Sequence, residues 1–241
     1  MARLLLIETS TRVCSVGLAI DGKLLSLHED HSANYSHSAV LTVFIEQVLQ
    51  ETGLTPNDLN GVAVSQGPGS YTGLRIGVSA AKGICFALDI PLIAIDTLQA
   101  MARMCLEEKS EALAAHAHPE CPLLLVPMID ARRMEVYNAV FNTRFQNVEP
   151  TRATVVEQGT FDKLLKGHRM AFFGDGAQKC IPVLNHPNAR VFEDVFPSVR
   201  GMVLRAVEKF EQGDFVDVAY FEPFYLKDFV AGVPKVKGLY R

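Results

Sequence analysis

The sequence predicts an α/β protein in two halves that repeat one order of elements. Short apolar runs of strand length alternate with segments of helical periodicity. In each half a strand leads into a glycine-rich turn, and an acidic residue closes the first strand, Glu8 in one half and Asp130 in the other. The shared order is three meandering strands, helix, strand, glycine turn, helix, strand and helix. We therefore expect two lobes, each a mixed five-stranded sheet with flanking helices.

The chain opens with a predicted three-stranded meander. Arg3–Glu8 is a continuous apolar run, typical of a strand covered on both faces. Residues 13–20 alternate apolar and polar side chains, and Asp21-Gly22 after them is a strong hairpin signal. Residues 23–27 then return as the third strand.

The other elements of the first half surround a glycine-rich turn, residues 66–73 (QGPGSYTG). Helices are predicted over residues 36–50, 73–88 and 97–108, and strands over residues 60–65 and 91–95.

The second half repeats this order around the turn at residues 174–177. Strands are predicted over residues 123–129, 133–141, 148–157, 169–173 and 190–192, and helices over residues 161–166 and 199–212. Residues 109–122, rich in Ala, His and Pro, suit a junction. We therefore divide the chain into an N-terminal lobe, residues 1–108, and a C-terminal lobe with an irregular tail, residues 109–241.

Composition excludes several classes of protein. The 23 basic and 27 acidic residues give a net charge of −4, so no basic excess drives nucleic-acid binding. The apolar runs are far shorter than the ~20 residues of a membrane span, and no secretory signal opens the chain. Five widely spaced cysteines without a C-x-x-C pair indicate reduced thiols. We expect a cytoplasmic protein with no membrane partner.

The glycine-rich turn lacks the known phosphate-binding patterns. No Gly-Lys-Ser/Thr ends it, and three residues separate Gly69 from Gly73, so it is neither a P-loop nor a dinucleotide fingerprint. Tyr71 interrupts the G-x-S-x-G pattern of a nucleophilic Ser70. Two interpretations remain: an anion site at a helix start, or a tight turn with Ser70 or Thr72 as the helix cap.

Acidic residues at strand ends raise a second possibility. Glu8 and Thr9, with Asp130 and Asp175, could surround a nucleotide–metal site between the lobes, or could be solvated loop residues. The weak candidates for cofactor contact are Glu8, Thr9, Gly67 and Gly69. A helical metal site needs His-x-x-x-His, and Leu41 stands four residues after His37. We therefore assign no metal ligand and no catalytic residue.

Two helices carry more apolar surface than one sheet can cover. The helix over residues 73–88 has Arg75 and Lys82 as its only charges, and Val43 lies off the main apolar stripe of the preceding helix. One explanation is a second layer of helices in the same chain. The other, which we favour, is burial of these outer faces on another subunit.

Several segments carry a family resemblance. The most specific are residues 66–77 (QGPGSYTGLRIG), 129–132 (IDAR) and 135–137 (EVY). Further matching segments are residues 6–11, 14–16, 37–38, 81–83, 174–176 and 222–226. In this order, over nearly the whole chain, they resemble the bacterial TsaB (YeaZ) family of the tRNA threonylcarbamoyladenosine pathway.

The resemblance implies two ribonuclease-H-like lobes of the actin/Hsp70 (ASKHA) ATPase superfamily. It also implies a scaffold subunit, required but not an enzyme by itself, that dimerises with the catalytic subunit TsaD and works with the ATPase TsaE. That complex transfers threonylcarbamoyl to the adenosine beside the anticodon of tRNAs. This chain would contact tRNA as part of the complex. ATP and metal belong to the partner subunits. The first two helices would form the contact with TsaD, and alone the chain would form a homodimer through these helices.

Two departures from related chains agree with a scaffold. TsaD-like chains carry His-x-x-x-His on the first helix, where this chain has His37 and Leu41, and ATP-binding relatives carry Asp where this chain has Glu8. Residues expected at or near the dimer interface are His37, Ser38, Leu41, Ile45, Arg75, Ser79, Lys82 and Phe86. We expect Ser79→Glu or Leu41→Asp to abolish pairing while leaving the fold largely intact.

Two rival functions remain open on the sequence. One is a self-standing nucleotide hydrolase or peptidase that uses the cleft between the lobes, near Glu8, Gly67 and Asp130. The other is a tRNA-binding module that uses the basic tail. The tail residues in question are Lys227, Lys235, Lys237 and Arg241.

Overall fold

A computed structural model describes residues 2–32 and 37–227, which form ten strands and seven α-helices. The strands are β1 (Arg3–Glu8), β2 (Cys14–Ile20), β3 (Lys23–Asp30), β4 (Gly61–Gly67), β5 (Leu92–Asp96), β6 (Leu123–Asp130), β7 (Glu135–Asn142), β8 (Asn147–Val155), β9 (Arg169–Phe173) and β10 (Ala189–Phe192). The helices are α1 (His37–Thr52), α2 (Tyr71–Leu88), α3 (Thr97–Glu108), α4 (Ser110–His116), α5 (Asp162–Leu165), α6 (Asp175–Gln178) and α7 (Val203–Gln212).

The strands form two sheets with the same topology. The first has the order β3-β2-β1-β4-β5, and the second has the order β8-β7-β6-β9-β10. In each sheet the first strand along the chain is central. It is antiparallel to the strand that follows it, β2 or β7, and parallel to the neighbour on its other side, β4 or β9. The predicted repeat of two mixed five-stranded sheets with flanking helices is confirmed.

The meander at the start of the chain forms as its residues predict. Asp21 and Gly22 both have positive φ, 46° and 80°, which is the backbone of the favoured two-residue hairpin turn. Five of the six residues of β1 are buried, because β1 lies in the middle of the sheet and helices cover both faces. The third strand runs to Asp30, three residues beyond the predicted end.

Two helices pack across the division between the halves. Leu98 and Met101 of α3 pack in the core cluster around Phe173 of the second sheet. Conversely, Val203 of α7 joins the cluster that contains Leu6 of the first sheet. The division of the chain at residues 108 and 109 stays a prediction, and the packing of these helices crosses it.

Two other segments differ from the sequence expectation. The predicted junction contains α4, whose Leu113 is buried against the second sheet's core cluster. The predicted helix over residues 199–212 starts as a 3-10 turn, Val199–Met202, before α7 begins. Among the helices of the described residues, none is both long and apolar enough to cross a bilayer.

The chain after α7 returns along the first lobe. Gly213 ends the helix with φ +66°, and Val216 then pairs with Leu92 at the outer edge of β5. Residues 219–227 continue from there over α2 towards the second lobe. We call residues 219–227 the strap.

Candidate functional site

A cavity of about 740 Å³ lies between the two lobes. The loop after β1, the start of α2, the loop after β6 and the end of the strap line it. The lining residues are Ser10, Thr11, Arg12, Gly69, Ser70, Tyr71, Thr72, Ile129, Asp130, Ala131, Arg132, Tyr137, Asp175, Tyr225, Leu226 and Lys227. Both repeated halves therefore contribute the loop after their first strand to one site.

The glycine-rich turn joins the start of α2 tightly to the loop after β1. The Ser70 hydroxyl accepts a hydrogen bond from the Gly73 amide at 3.2 Å, so Ser70 is the helix cap. A Cβ atom at Gly69 would lie 2.3 Å from the Ser10 carbonyl oxygen, and one at Gly73 would lie 2.1 Å from the Thr9 carbonyl oxygen. These glycines are therefore needed for close backbone contact, whatever the turn binds.

Glu8 lies behind the cavity rather than in it. Its side chain is fully buried, and its Oε1 atom accepts the Ser10 amide at 2.6 Å. Burial raises the pKa of this carboxyl, so its neutral form is favoured. A carboxyl buried in this way does not fit the role of a metal or nucleotide ligand that faces the cavity.

Of the other three cofactor candidates, only one lies on the cavity wall. Thr9 and Gly67 are buried and are absent from the cavity wall, whereas Gly69 lines it. A nucleotide site at Glu8, Thr9, Gly67 and Gly69 stays a prediction that the burial of three of them does not favour.

The two aspartates on the far side of the cavity are committed to local contacts. Asp175 accepts the Asp130 amide at 3.0 Å, and burial raises the pKa of Asp175. Asp130 forms an ion pair with Lys179. Across residues 2–32 and 37–227, no group of three or more His, Cys, Asp or Glu side chains is placed to hold a metal ion.

The second feature of the site is the outer surface of α1 and α2, which pack side by side on the first sheet. Phe86 of α2 is 85% exposed and Val43 of α1 is 46% exposed. Ser38, Arg75 and Ser79 are also exposed, whereas Ile45 and Lys82 are half-buried. We call this surface the helix-pair face.

His37 and Leu41 are placed differently from the other predicted interface residues. Leu41 is 2% exposed and belongs to the core of the first lobe. His37 is buried, with its Nε2 atom 2.7 Å from the Thr11 carbonyl oxygen. The expectation that Leu41→Asp leaves the fold intact is wrong, because the substitution would bury a charge in the core. The interface assignment of the eight residues stays a prediction.

Sequence reasoning missed the strap as part of the site. Lys82 and Arg75, expected at the interface, both bind strap atoms, and Lys227 forms an ion pair with Glu135 of the second lobe. The available signal was the matching segment at residues 222–226. The other basic tail residues of the tRNA-binding rival, Lys235, Lys237 and Arg241, lie outside the described residues.

Taken together, the duplicated sheet order and the cavity between two β-strand loops define a two-lobed α/β protein with one mixed five-stranded sheet in each lobe. Residues 31–232 match the family model for TsaD, described as tRNA N6-adenosine threonylcarbamoyltransferase. The chain belongs to this family, and within it to the TsaB (YeaZ) group.

Individual relatives agree with this assignment. The TsaB protein of Escherichia coli K12 is 29% identical over 237 residues, which cover 95% of this chain and 96% of that protein. A tRNA N6-adenosine threonylcarbamoyltransferase of Thermus thermophilus is 37% identical over 107 residues, or 39% of this chain and 33% of that protein. The solved structure of YeaZ from Pseudomonas aeruginosa superimposes with a TM-score of 0.76 at 23% identity, covering 94% of this chain and all of that one.

Proposed function

We propose that this chain is the non-catalytic scaffold subunit of the complex that transfers threonylcarbamoyl to the adenosine beside the anticodon in tRNAs. It pairs with a catalytic TsaD subunit through the helix-pair face. The pathway is supported by the relatives, since the Escherichia coli and Bacillus subtilis proteins carry the name tRNA threonylcarbamoyladenosine biosynthesis protein TsaB. TsaE and tRNA join through the assembled pair, and a second copy of this chain takes the partner's place when the chain is alone.

The exposed apolar surface of α1 and α2 is the observation that carries this proposal. Val43 and Phe86 stand on neighbouring helices, and among the described residues they stay 46% and 85% exposed. Such side chains gain about 1.5–3 kcal/mol each when they are fully buried, so a partner on this face is favoured.

The burial at the first turn of α1 supports a scaffold over a catalyst. His37 is buried against the Thr11 carbonyl, and Leu41 fills the core at the position where a second helical ligand would stand. Glu8 is enclosed and its raised pKa favours the neutral acid. His37 and Glu8 are therefore enclosed by contacts within the fold, and Leu41 has no group that could bind a metal or activate water.

The decisive experiment is reconstitution of tRNA modification from purified subunits with and without this chain. We expect modified adenosine, measured by mass spectrometry of digested tRNA, only when the chain is present together with TsaD, TsaE and the enzyme that makes the threonylcarbamoyl adenylate. Equal modification without this chain would overturn the scaffold role.

Two substitutions test the pairing face directly. Ser79→Glu and Val43→Asp place charges on exposed positions of α2 and α1, so both variants should fold. Ala114→Glu and Val155→Asp are matched controls, because they make the same kinds of change at exposed sites of the second lobe. We expect sedimentation velocity to show loss of pairing with TsaD in the first two variants and unchanged pairing in the controls. Pairing by all four variants would contradict the proposed face.

A further inference from the structure

The strap is attached firmly to the first lobe. The Lys82 ammonium group donates to two strap carbonyls, those of Ala219 at 3.0 Å and Phe221 at 3.1 Å. Farther along, the Phe224 amide donates to the carbonyl of Gln66 at 2.7 Å. These bonds hold the strap backbone to α2 and to the end of β4.

Close packing confirms that this path is built into the first lobe. A Cβ atom at Gly67 would lie 2.8 Å from the Phe224 carbonyl oxygen, so the strap backbone contacts the turn directly. Tyr225 then packs on Tyr71 with ring centroids 5.0 Å apart, and its hydroxyl accepts a hydrogen bond from Arg75 at 3.4 Å. The Tyr71 and Tyr225 rings both line the interlobe cavity.

The attachment to the second lobe is different in kind. At the end of the strap, the Lys227 ammonium group forms an ion pair with the Glu135 carboxylate at the start of β7. The Lys227 side chain is 44% exposed, so water and salt reach this pair. Exposed ion pairs are weak and are screened by salt, whereas the backbone hydrogen bonds and ring contacts at the other end are not.

We propose that the strap is a latch on the interlobe cavity, fixed on the first lobe and held reversibly to the second by the Lys227–Glu135 ion pair. While the pair is closed, residues 225–227 form a wall that joins the two lobes across the cavity. When the pair opens, this wall is released at its second-lobe end and the cavity becomes more accessible.

Lys82 is the positioning residue of the latch. It touches the strap rather than any ligand, and its two hydrogen bonds place the strap so that Lys227 reaches Glu135. The latch works within this chain alone and its test needs no TsaD, although Lys82 and Arg75 also belong to the helix-pair face.

A single introduced indole can report the state of the latch, because the chain contains no tryptophan. In the full chain carrying Tyr225→Trp, we expect Glu135→Gln to increase acrylamide quenching about twofold, as the loss of an exposed ion pair allows. Raising NaCl from about 0.05 M to about 1 M should have the same effect with Glu135 intact, since salt screens the pair. The matched control is Glu149→Gln, which removes a carboxylate paired with Arg152 on the same sheet.

A second readout uses the native Tyr225. The Phe224 amide should exchange hydrogen about twofold faster in Glu135→Gln than in the unaltered chain, and faster again in Lys82→Ala. Lys82→Arg should restore part of the protection, because a guanidinium also donates to two carbonyls. Equal quenching and equal exchange in Glu135→Gln and Glu149→Gln, with no response to salt, would overturn the latch.

Discussion

The Thr9 hydroxyl donates a hydrogen bond to the Gly73 carbonyl across 2.8 Å and so joins the end of β1 to the first turn of α2. The contact is possible because the helix has no side chain at this point, and a Cβ atom there would lie 2.1 Å from the Thr9 carbonyl oxygen. The glycine-rich segment is thus explained first by packing between a strand end and a helix.

Two glycines of α2 give a matched test of that packing. Gly73→Ala should destabilise the protein by about 1–3 kcal/mol, because the new methyl group meets backbone atoms that cannot move away. Gly83→Ala has open space around its Cβ and should instead stabilise by about 0.5–1 kcal/mol. Urea unfolding followed by circular dichroism measures both values. Similar free energies of unfolding for the two variants would contradict the close approach.

The buried Glu8 predicts an unusual pH dependence of stability. Because burial raises the folded-state pKa, the stabilisation is fully present below the unfolded-state pKa of about 4.5 and is lost as pH rises through the raised folded-state value. Glu8→Gln removes this titration and keeps the side-chain shape. We expect the melting temperature of Glu8→Gln, relative to the unaltered chain, to increase from pH 5 to pH 8. A constant difference over this range would show that Glu8 titrates normally.

Glu29 on β3 connects the first sheet to the segment before α7. Its carboxylate accepts hydrogen bonds from Ser15 at 3.0 Å, from Ser198 at 2.5 Å and from Arg200 at 3.0 Å. Removing this largely buried carboxylate leaves the Ser15 and Ser198 hydroxyls without an acceptor, whereas Arg200 keeps its ion pair with Glu108, so Glu29→Ala should cost about 2–4 kcal/mol.

The control for Glu29 is a carboxylate in a single exposed ion pair. Glu149→Ala removes the ion-pair partner of Arg152, whose side chain is 45% exposed. This substitution should lower the free energy of unfolding by at most about 1 kcal/mol. Chemical denaturation of both variants gives the comparison. A loss in Glu29→Ala no larger than that in the control would show that the hydrogen-bonded cluster contributes little.

The five thiols should differ sharply in reactivity. Burial raises the pKa of Cys14 and Cys105 to about 12 and that of Cys85 to about 11, and it also raises the pKa of Cys180. Cys121 is only partly buried. At pH 8 we expect a thiol reagent such as Ellman's reagent to modify one cysteine rapidly and all five after denaturation. Cys121→Ser should abolish the fast phase, and a fast phase that persists would show access to a buried thiol.

Much of the fold follows from local residue patterns. Asp21-Gly22 predicts the β2–β3 hairpin because both positions adopt positive φ. The repeated sequence of strands and glycine turns predicts two sheets of equal topology, since the strand connections fix which neighbours are parallel. These features depend on short stretches of chain, which a sequence pattern records.

The errors concern contacts between distant parts of the chain. The apolar pattern of α1 places Val43 off the main stripe, in agreement with its exposure, but it does not show that Leu41 of that stripe is buried in the core of the first lobe. Nor does periodicity say which lobe α3 covers, because both sheets offer apolar faces of the same kind. The strap was missed for a similar reason, since its anchors Lys82 and Glu135 are far from it in sequence.

The packing of α7 on the first lobe has a consequence for biosynthesis. The face of the first sheet that α7 covers stays open until residues near Val203 have left the ribosome, long after β5 is complete. The first lobe cannot finish its core from its own stretch of chain, so the nascent polypeptide exposes an apolar surface until α7 has been made. The strands of the second lobe are all synthesised before the first lobe is complete.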